Sequence, residues 1–386
     1  LRVVVAPDKF KGSLDAAGVA AALAAGVRDI VPHADCVVIP MADGGDGTVE
    51  AFLASGASAR TVRVTGPLGD PVDATYARDG ATAIVEMAAA SGLALLGERL
   101  AARRATTRGT GELLRDALDQ GATRIVLGIG GSATTDGGVG ALAALGARFL
   151  NDAGDALEPT PEALARLARV DLSGLDSRLR PDASSGRPQV DLAIACDVDN
   201  PLLGPSGAAA VYGPQKGASP ADVAFLDGVL ARLADAMTAA TGRDVRALPG
   251  AGAAGGLGWA LASACGARLE RGVALVAQVR GLADALRGAR WCFTGEGRID
   301  AQTLHGKVVD GVAALARDAG VPVIAFGGSV DLAAELELRA RGVRCVPIAP
   351  GPMTLHDAMR DAAANLRASA ARVAALLTLP RIQAGG

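Results

Sequence analysis

The chain has 386 residues, a formal net charge of -3, half of its residues hydrophobic and only 3% aromatic. That length suits about two domains with substantial cores, and the charge leaves no footprint for nucleic acid or a membrane surface. Cys36, Cys196, Cys265, Cys292 and Cys345 are scattered without a C-x-x-C pair, which reads as a reduced, cytoplasmic protein.

The opening run RVVVAP (2–7) has the pattern of a buried strand and turns polar too soon for a secretory signal. APDKFKGSLDA (6–16) follows. Ser13 is placed to cap a helix over 14–28, and Lys9 and Lys11 sit where an anion would meet both a helix dipole and an ammonium. A second strand, DCVVIPM (35–41), leads into PMADGGDGTVEAF (40–52) and a helix over 47–55. Asp43 and Asp46 there flank two glycines. Carboxylates in such a turn suit Mg²⁺ or a substrate hydroxyl, and a tight Asp-capped turn explains the pattern equally well. TVRVTGPLGDPVDATYARDGATAIVEMA (61–88) alternates apolar and polar residues between Gly and Pro turns, as a meander or hairpin does.

After a helix over 109–120, the strand TRIVLG opens into LGIGGSATTDGGVGALAALG (127–146). Backbone N–H groups at a strand-to-helix turn favour an anion, so Gly130, Gly131, Ser132 and Thr134 are the expected phosphate holders and Asp136 an expected metal ligand. The G-x-x-x-x-G-K-[ST] pattern is absent, so positive charge must arrive from elsewhere. Gly128, Gly130 and Ala133 also fit G-x-G-x-x-A, which supports a nicotinamide-dependent hydroxy-acid dehydrogenase as a second reading. The acid it needs would be Asp152, in a turn after a scrap of strand, a poor fit.

Residues 152–188 read as a polar surface excursion. The strand VDLAIACD then meets ACDVDNPLLGPSGAAAVYGPQKG (195–217), which gathers Asp197, Asp199, Asn200 and Lys216. Acid, amide and lysine together suggest the parts of phosphoryl transfer. Following a helix over 220–240, the uncharged run 248–267 has the length of a membrane span but is too rich in Gly and Ala, and reads as a loop and a buried helix. FTGEGRIDAQTLHGK (293–307) carries Glu296, Arg298, Asp300, His305 and Lys307. Arg298 could clamp a carboxylate in a bidentate fork; His305 is either a base or, more commonly in such a loop, a plain donor. His33 and His356 lie on other loops, so no metal-binding histidine pair exists.

Of the 38 basic residues 34 are Arg, and the four lysines, Lys9, Lys11, Lys216 and Lys307, all sit beside or close to glycine. A compact ammonium suits phosphate oxygens. Strands alternating with helices, including 307–319 and 355–377, indicate α/β architecture with largely parallel, doubly covered sheets. Residues 1–60 and 285–386 are expected to form a discontinuous, Rossmann-like three-layer domain, and 61–284 an inserted mixed-sheet α/β domain. The active site is expected in the cleft between them, at the carboxyl ends of the strands.

APDKFKGSL, PMADGGDGT, EMAAASGLALL, GTGEL, GIGGSATTDGG, ACDVDNPLLGPSGA, YGPQKGA, GAGAAGGLG and TGEGRIDAQTLHGK, in this order from about residue 2 to 375, closely resemble the bacterial glycerate kinase family, the type that includes glycerate 2-kinases. The resemblance implies Mg-ATP-dependent phosphorylation of D-glycerate, normally at O2, by two α/β domains, one of them Rossmann-like and discontinuous. Transfer to O3 is the alternative within this class, and a non-catalytic sugar-acid sensor the alternative outside it. Arg108 in TTRGTGEL and Thr135 in SATTDGG stand where an aromatic residue and Asn are expected.

The residues then divide into roles. Asp197 is the expected proton acceptor, with Lys9 and Lys11 as catalytic cations. Arg298, Asp43, Asp46 and Asn200 are expected on glycerate. Gly130, Gly131, Ser132, Thr134, Lys216 and Lys307 are expected on the ATP phosphates, and Asp197 and Asp136 on Mg²⁺. The partners are small molecules, without nucleic acid or membrane; a homo-oligomer is left open.

Overall fold

A computed structural model describes residues 1–182, 184–304 and 306–378. The first strands are β1 (Arg2–Val5) and β2 (Asp35–Val38). There follow β3 (Ser58–Thr65), β4 (Pro71–Asp79), β5 (Thr82–Glu86), β6 (Arg124–Gly128), β7 (Arg148–Leu150), β8 (Arg169–Asp171), β9 (Asp191–Ala195) and β10 (Arg268–Glu270). The last are β11 (Trp291–Ile299), β12 (Val323–Val330) and β13 (Val343–Pro347). The described residues fall into two compact units, 1–43 with 273–378, and 44–272.

In the first unit β13-β12-β11-β1-β2 form a wholly parallel sheet. Val3 and Val5 pack with Val19, Leu23 and Val27 of the helix Ala16–Ile30 and with Leu366 and Ala370 of the helix Ala362–Leu377. Val4, pointing the other way, is equally buried. Both faces are therefore covered, which is why the strands read as unbroken apolar runs. Each large side chain so buried contributes about 1.5–3 kcal/mol. The two helices cross at Gly26, where a Cβ would stand 2.2 Å from the Arg367 carbonyl oxygen. Counted within the unit, the strand order is 2-1-3-4-5, a doubly wound arrangement whose direction reverses between β1 and β11.

In the second unit the sheet order is β10-β9-β6-β5-β4-β3, with β5, β6, β9 and β10 parallel and β3-β4-β5 an antiparallel meander. β7 and β8 pair separately, within the polar excursion. The uncharged run near 257 forms the helix Leu257–Cys265, all nine residues of which are buried. Among the described residues no helix is long and apolar enough to cross a membrane.

The unit limits differ from those expected at 60 and 285. The helix Thr48–Leu53 packs on β4 and β5, so the second unit begins at Gly44. Val273 packs against Gly311, and the helix Leu282–Leu286 against the helix Val308–Asp318, so the chain rejoins the first unit at Val273.

Candidate active site

In the second unit the polar turns gather at the carboxyl ends of β5, β6 and β9. Gly44 has φ +80°, and a Cβ there would stand 2.3 Å from Ala195 Cβ and 3.1 Å from Gly272 Cα. Gly128, ending β6, meets the Gly44 carbonyl oxygen as closely, and a Cβ on Gly130 would be 3.3 Å from Gly45 Cα. Two glycine turns thus lie against each other, with no room for side chains between them. Just past β9, Asp197 is exposed; its Oδ1 accepts the Gly272 N–H at 2.9 Å, and its carbonyl accepts from Arg271 at 2.7 Å.

The Gly-rich loop after β6 is open only in part. Gly130 and Gly131 are exposed and Ser132 half-buried, whereas everything from Ala133 to Gly140 is buried. The Asp136 carboxylate accepts from Thr107 N and Thr107 Oγ1 at 2.8 Å each, from Gly138 N at 3.0 Å and from Gly140 N at 3.3 Å. The anion at the start of the helix Val139–Ala144 is therefore the protein's own. Burial, outweighing these donors, raises the Asp136 pKa above the ordinary aspartate value. With its oxygens taken up by four donors, Asp136 is an internal anchor and has no open face for Mg²⁺.

Other expected ligands also turn inward. Lys216 is 1% exposed and donates to the Thr134 carbonyl at 2.5 Å, so its ammonium lies behind the loop. Burial pushes its pKa down to about 7, against the opposing pull of Asp136. Thr134 is fully buried; its hydroxyl and that of Thr135 have no partner among the described residues. Asn200 donates to the Ser206 carbonyl at 2.9 Å and accepts from Tyr212 Oη at 2.6 Å, which spends both ends of its amide on its own loop. Asp46 is exposed ahead of the helix Thr48–Leu53, whose N-terminal Val49 N–H is taken by Glu86 at 2.7 Å.

In the first unit the loops beyond the strand ends stay paired. Pro7 accepts from Met41 N at 2.9 Å, Asp8 N donates to the Gly295 carbonyl at 2.8 Å, and Thr294 Oγ1 donates to the Ala6 carbonyl at 2.8 Å. These bonds set Asp8 at the switch between β1 and β11, near Asp43 and Glu296. Burial, then Asp43 and Glu296, push the Asp8 pKa up to about 7. Glu296 is 6% exposed and accepts from Thr303 Oγ1 at 2.6 Å; burial, with Asp300 and Asp43, lifts it to about 7 although Thr303 and Lys307 oppose. The sequence alone assigns no role to Asp8, and none to Glu296 beyond its place in FTGEGRIDAQTLHGK. The signal that could have found them is two acids each following an apolar run, which becomes informative only once those runs are known to be neighbouring parallel strands.

The helix expected after Lys11 begins at Ala16, and its cap is Asp15, which accepts Gly18 N at 2.6 Å; Ser13 instead donates to the Met359 carbonyl. Lys11 is exposed and Lys9 half-buried. Arg298 holds Asp300 at 3.1 Å with its side chain 76% exposed, and Lys307 donates to Gln302 at 3.0 Å at the start of the helix Val308–Asp318. His305 lies outside the described residues.

The dinucleotide fingerprint fails on topology. β7, which precedes Asp152, belongs to the separate pair with β8 and not to the sheet holding β6. Among the described residues no group of three His, Cys, Asp or Glu is placed to hold a metal ion unaided. Mg²⁺ in phosphoryl-transfer sites commonly uses one or two carboxylates, waters and the substrate's phosphates. The exposed Asp197 fits that need and Asp136 does not.

A doubly wound α/β unit and a second mixed-sheet unit carry acids and glycine turns at strand carboxyl ends, where α/β enzymes bind small ligands, and the proteins this chain resembles make it a phosphotransferase. The chain belongs to the glycerate kinase family, whose model matches residues 3–378. It is 44% identical to the glycerate kinase of Bacillus subtilis (strain 168) over 386 residues, 99% of each chain. It is 43% identical to the glycerate 2-kinase of Escherichia coli (strain K12), over 100% of each. A crystal structure of a candidate glycerate kinase 2 from Salmonella typhimurium LT2 superposes with a TM-score of 0.88, at 44% identity and 98% coverage of each chain.

Proposed function

We propose that the protein transfers the γ-phosphoryl group of ATP to the 2-hydroxyl of D-glycerate, giving 2-phospho-D-glycerate and ADP. The observation that carries this reading is the end-to-end likeness to a glycerate 2-kinase. In the second unit the open Gly130–Ser132 stretch offers backbone N–H groups to phosphate oxygens. Asp197 would hold Mg²⁺ with the nucleotide; when bound, the dication neutralises charge on the transferring group. Since ligation to a dication lowers a carboxylate's pKa and makes it a poor proton acceptor, Asp197 keeps the first of its two expected roles.

Asp8 takes the second. Its ionised form removes the proton of the glycerate hydroxyl as the new O–P bond forms and the bond to ADP breaks. A carboxylate titrating near 7 is matched to that task. Lys9, Lys11 and Lys307 supply point charges to phosphate oxygens, Arg298 binds the glycerate carboxylate, and Asp43 and Asp46 orient its hydroxyls. Asp136, Lys216, Thr134 and Asn200 serve the scaffold instead.

The test is ADP release by purified protein with Mg-ATP, with and without D-glycerate. Release that requires D-glycerate, one ADP per glycerate consumed, supports the reading. Absence of ADP, together with quenching of NADH fluorescence on binding, would reinstate the dehydrogenase.

A further inference from the structure

We propose that Lys216 is a positioning residue for the nucleotide: its buried ammonium holds the Thr134 carbonyl from behind and so sets the open Gly130–Ser132 stretch, without touching phosphate. This deepens the glycerate kinase reading and rests on it.

The backbone around Thr134 is tied to neutral partners. Gly131 accepts from Leu93 N at 2.8 Å, Ala133 N donates to Ser91 at 2.9 Å, and Gly137 N donates to Gly255 at 2.9 Å. The Thr134 carbonyl alone among these meets a charged donor, at 2.5 Å. The side chains of Thr134 and Thr135 do not tether the loop, since their hydroxyls have no partner among the described residues. Removing Lys216 therefore frees a carbonyl in the buried half of the loop, two residues past the open Gly130–Ser132 stretch.

A neutral donor could satisfy one carbonyl at lower desolvation cost than a buried ammonium. The burial of Lys216 lowers its pKa, and Asp136 is the ionisable group that opposes this. Asp136 in turn binds the far side of the same loop through Gly138 and Gly140. Lysine and aspartate thus brace the loop from two sides, and its exposed amides are held in place before any phosphate arrives. Preorganised donors of this kind are the main source of electrostatic binding in such sites.

Two measurements test this. In folded Lys216→Met, Kd and KM for ATP should rise by at least about tenfold while kcat and KM for glycerate move by less than about threefold. A role in stability alone would lower Tm and leave ATP affinity within about twofold, overturning the proposal. The second measurement needs no variant. Acetylation of native protein, mapped by mass spectrometry, should modify Lys11 readily and spare Lys216 both with and without ATP. Labelling of Lys216 in free protein, abolished by ATP, would make it a direct phosphate ligand and contradict the proposal. Failure of wild type to bind ATP would count against the kinase reading and leave the labelling result standing.

Discussion

A single oxygen of Asp136 accepts both the backbone N–H and the hydroxyl of Thr107, each at 2.8 Å. With Gly138 and Gly140 donating as well, the carboxylate occupies the anion position that the loop's glycines advertise. Asp15 and Glu86 do the same for the helices starting at Ala16 and Thr48. These three helix N-termini are satisfied by the protein's own carboxylates.

Asp136→Ala should therefore act on stability. It orphans four buried donors, and the expected loss is about 3–5 kcal/mol, read as a lower urea midpoint. A variant with wild-type stability and a weakened Mg²⁺ response would return Asp136 to the metal.

Asp8 links activity to pH. With Asp8 as the proposed proton acceptor its ionised form would be the active one, so kcat/KM for D-glycerate should rise as pH passes about 7 and level off above. Asp8→Asn should lower kcat by about 100-fold or more and remove that limb. A kcat within a few-fold of wild type would exclude Asp8 as the proton acceptor. Stability runs the other way. Asp8 and Glu296 have folded values of about 7 against ordinary values of 3.8 and 4.5. Between these limits the folded state holds protons that the unfolded chain has released, so their contribution is full at acid pH and is lost as pH rises through about 7. Thermal melts of wild type should fall more steeply over that window than those of Asp8→Asn; parallel curves would contradict the shift.

Gly44→Ala meets both a left-handed φ of +80° and a Cβ 2.3 Å from Ala195 Cβ. The turn must move, and the expected result is a fold that persists with kcat/KM reduced by about 100-fold or more. Activity close to wild type would mean that this close approach is not used.

The strands were largely readable, since RVVVAP, DCVVIPM, TRIVLG and VDLAIACD became β1, β2, β6 and β9 and the meander over 61–88 formed as β3–β5. Continuous Val, Ile and Ala between polar turns leaves little else for such segments to do. Site roles were harder to read. Lys216 and Asp136 have the residue types of ligands, but the Thr134 carbonyl is 82 residues from Lys216 and Thr107 29 residues from Asp136, so whether they face inward or outward is a tertiary fact; Asn200 is instead used up within its own loop. Asp8 stayed hidden for the converse reason. Its importance comes from β11 pairing beside β1, and Thr294 and Ala6, which bond across that junction, are 288 residues apart.

Asp197→Asn tests the metal role. The Mg²⁺ concentration for half-maximal rate should rise by about tenfold or more, with activity partly restored at high Mg²⁺. An unchanged Mg²⁺ dependence with a collapsed kcat would make Asp197 the proton acceptor after all.

The most direct test of the central claim is a product assay with Mg-ATP, D-glycerate and enolase, run with and without phosphoglycerate mutase. Transfer to O2 predicts phosphoenolpyruvate from enolase alone. Phosphoenolpyruvate only when the mutase is present would place the phosphoryl group on O3 and contradict the account.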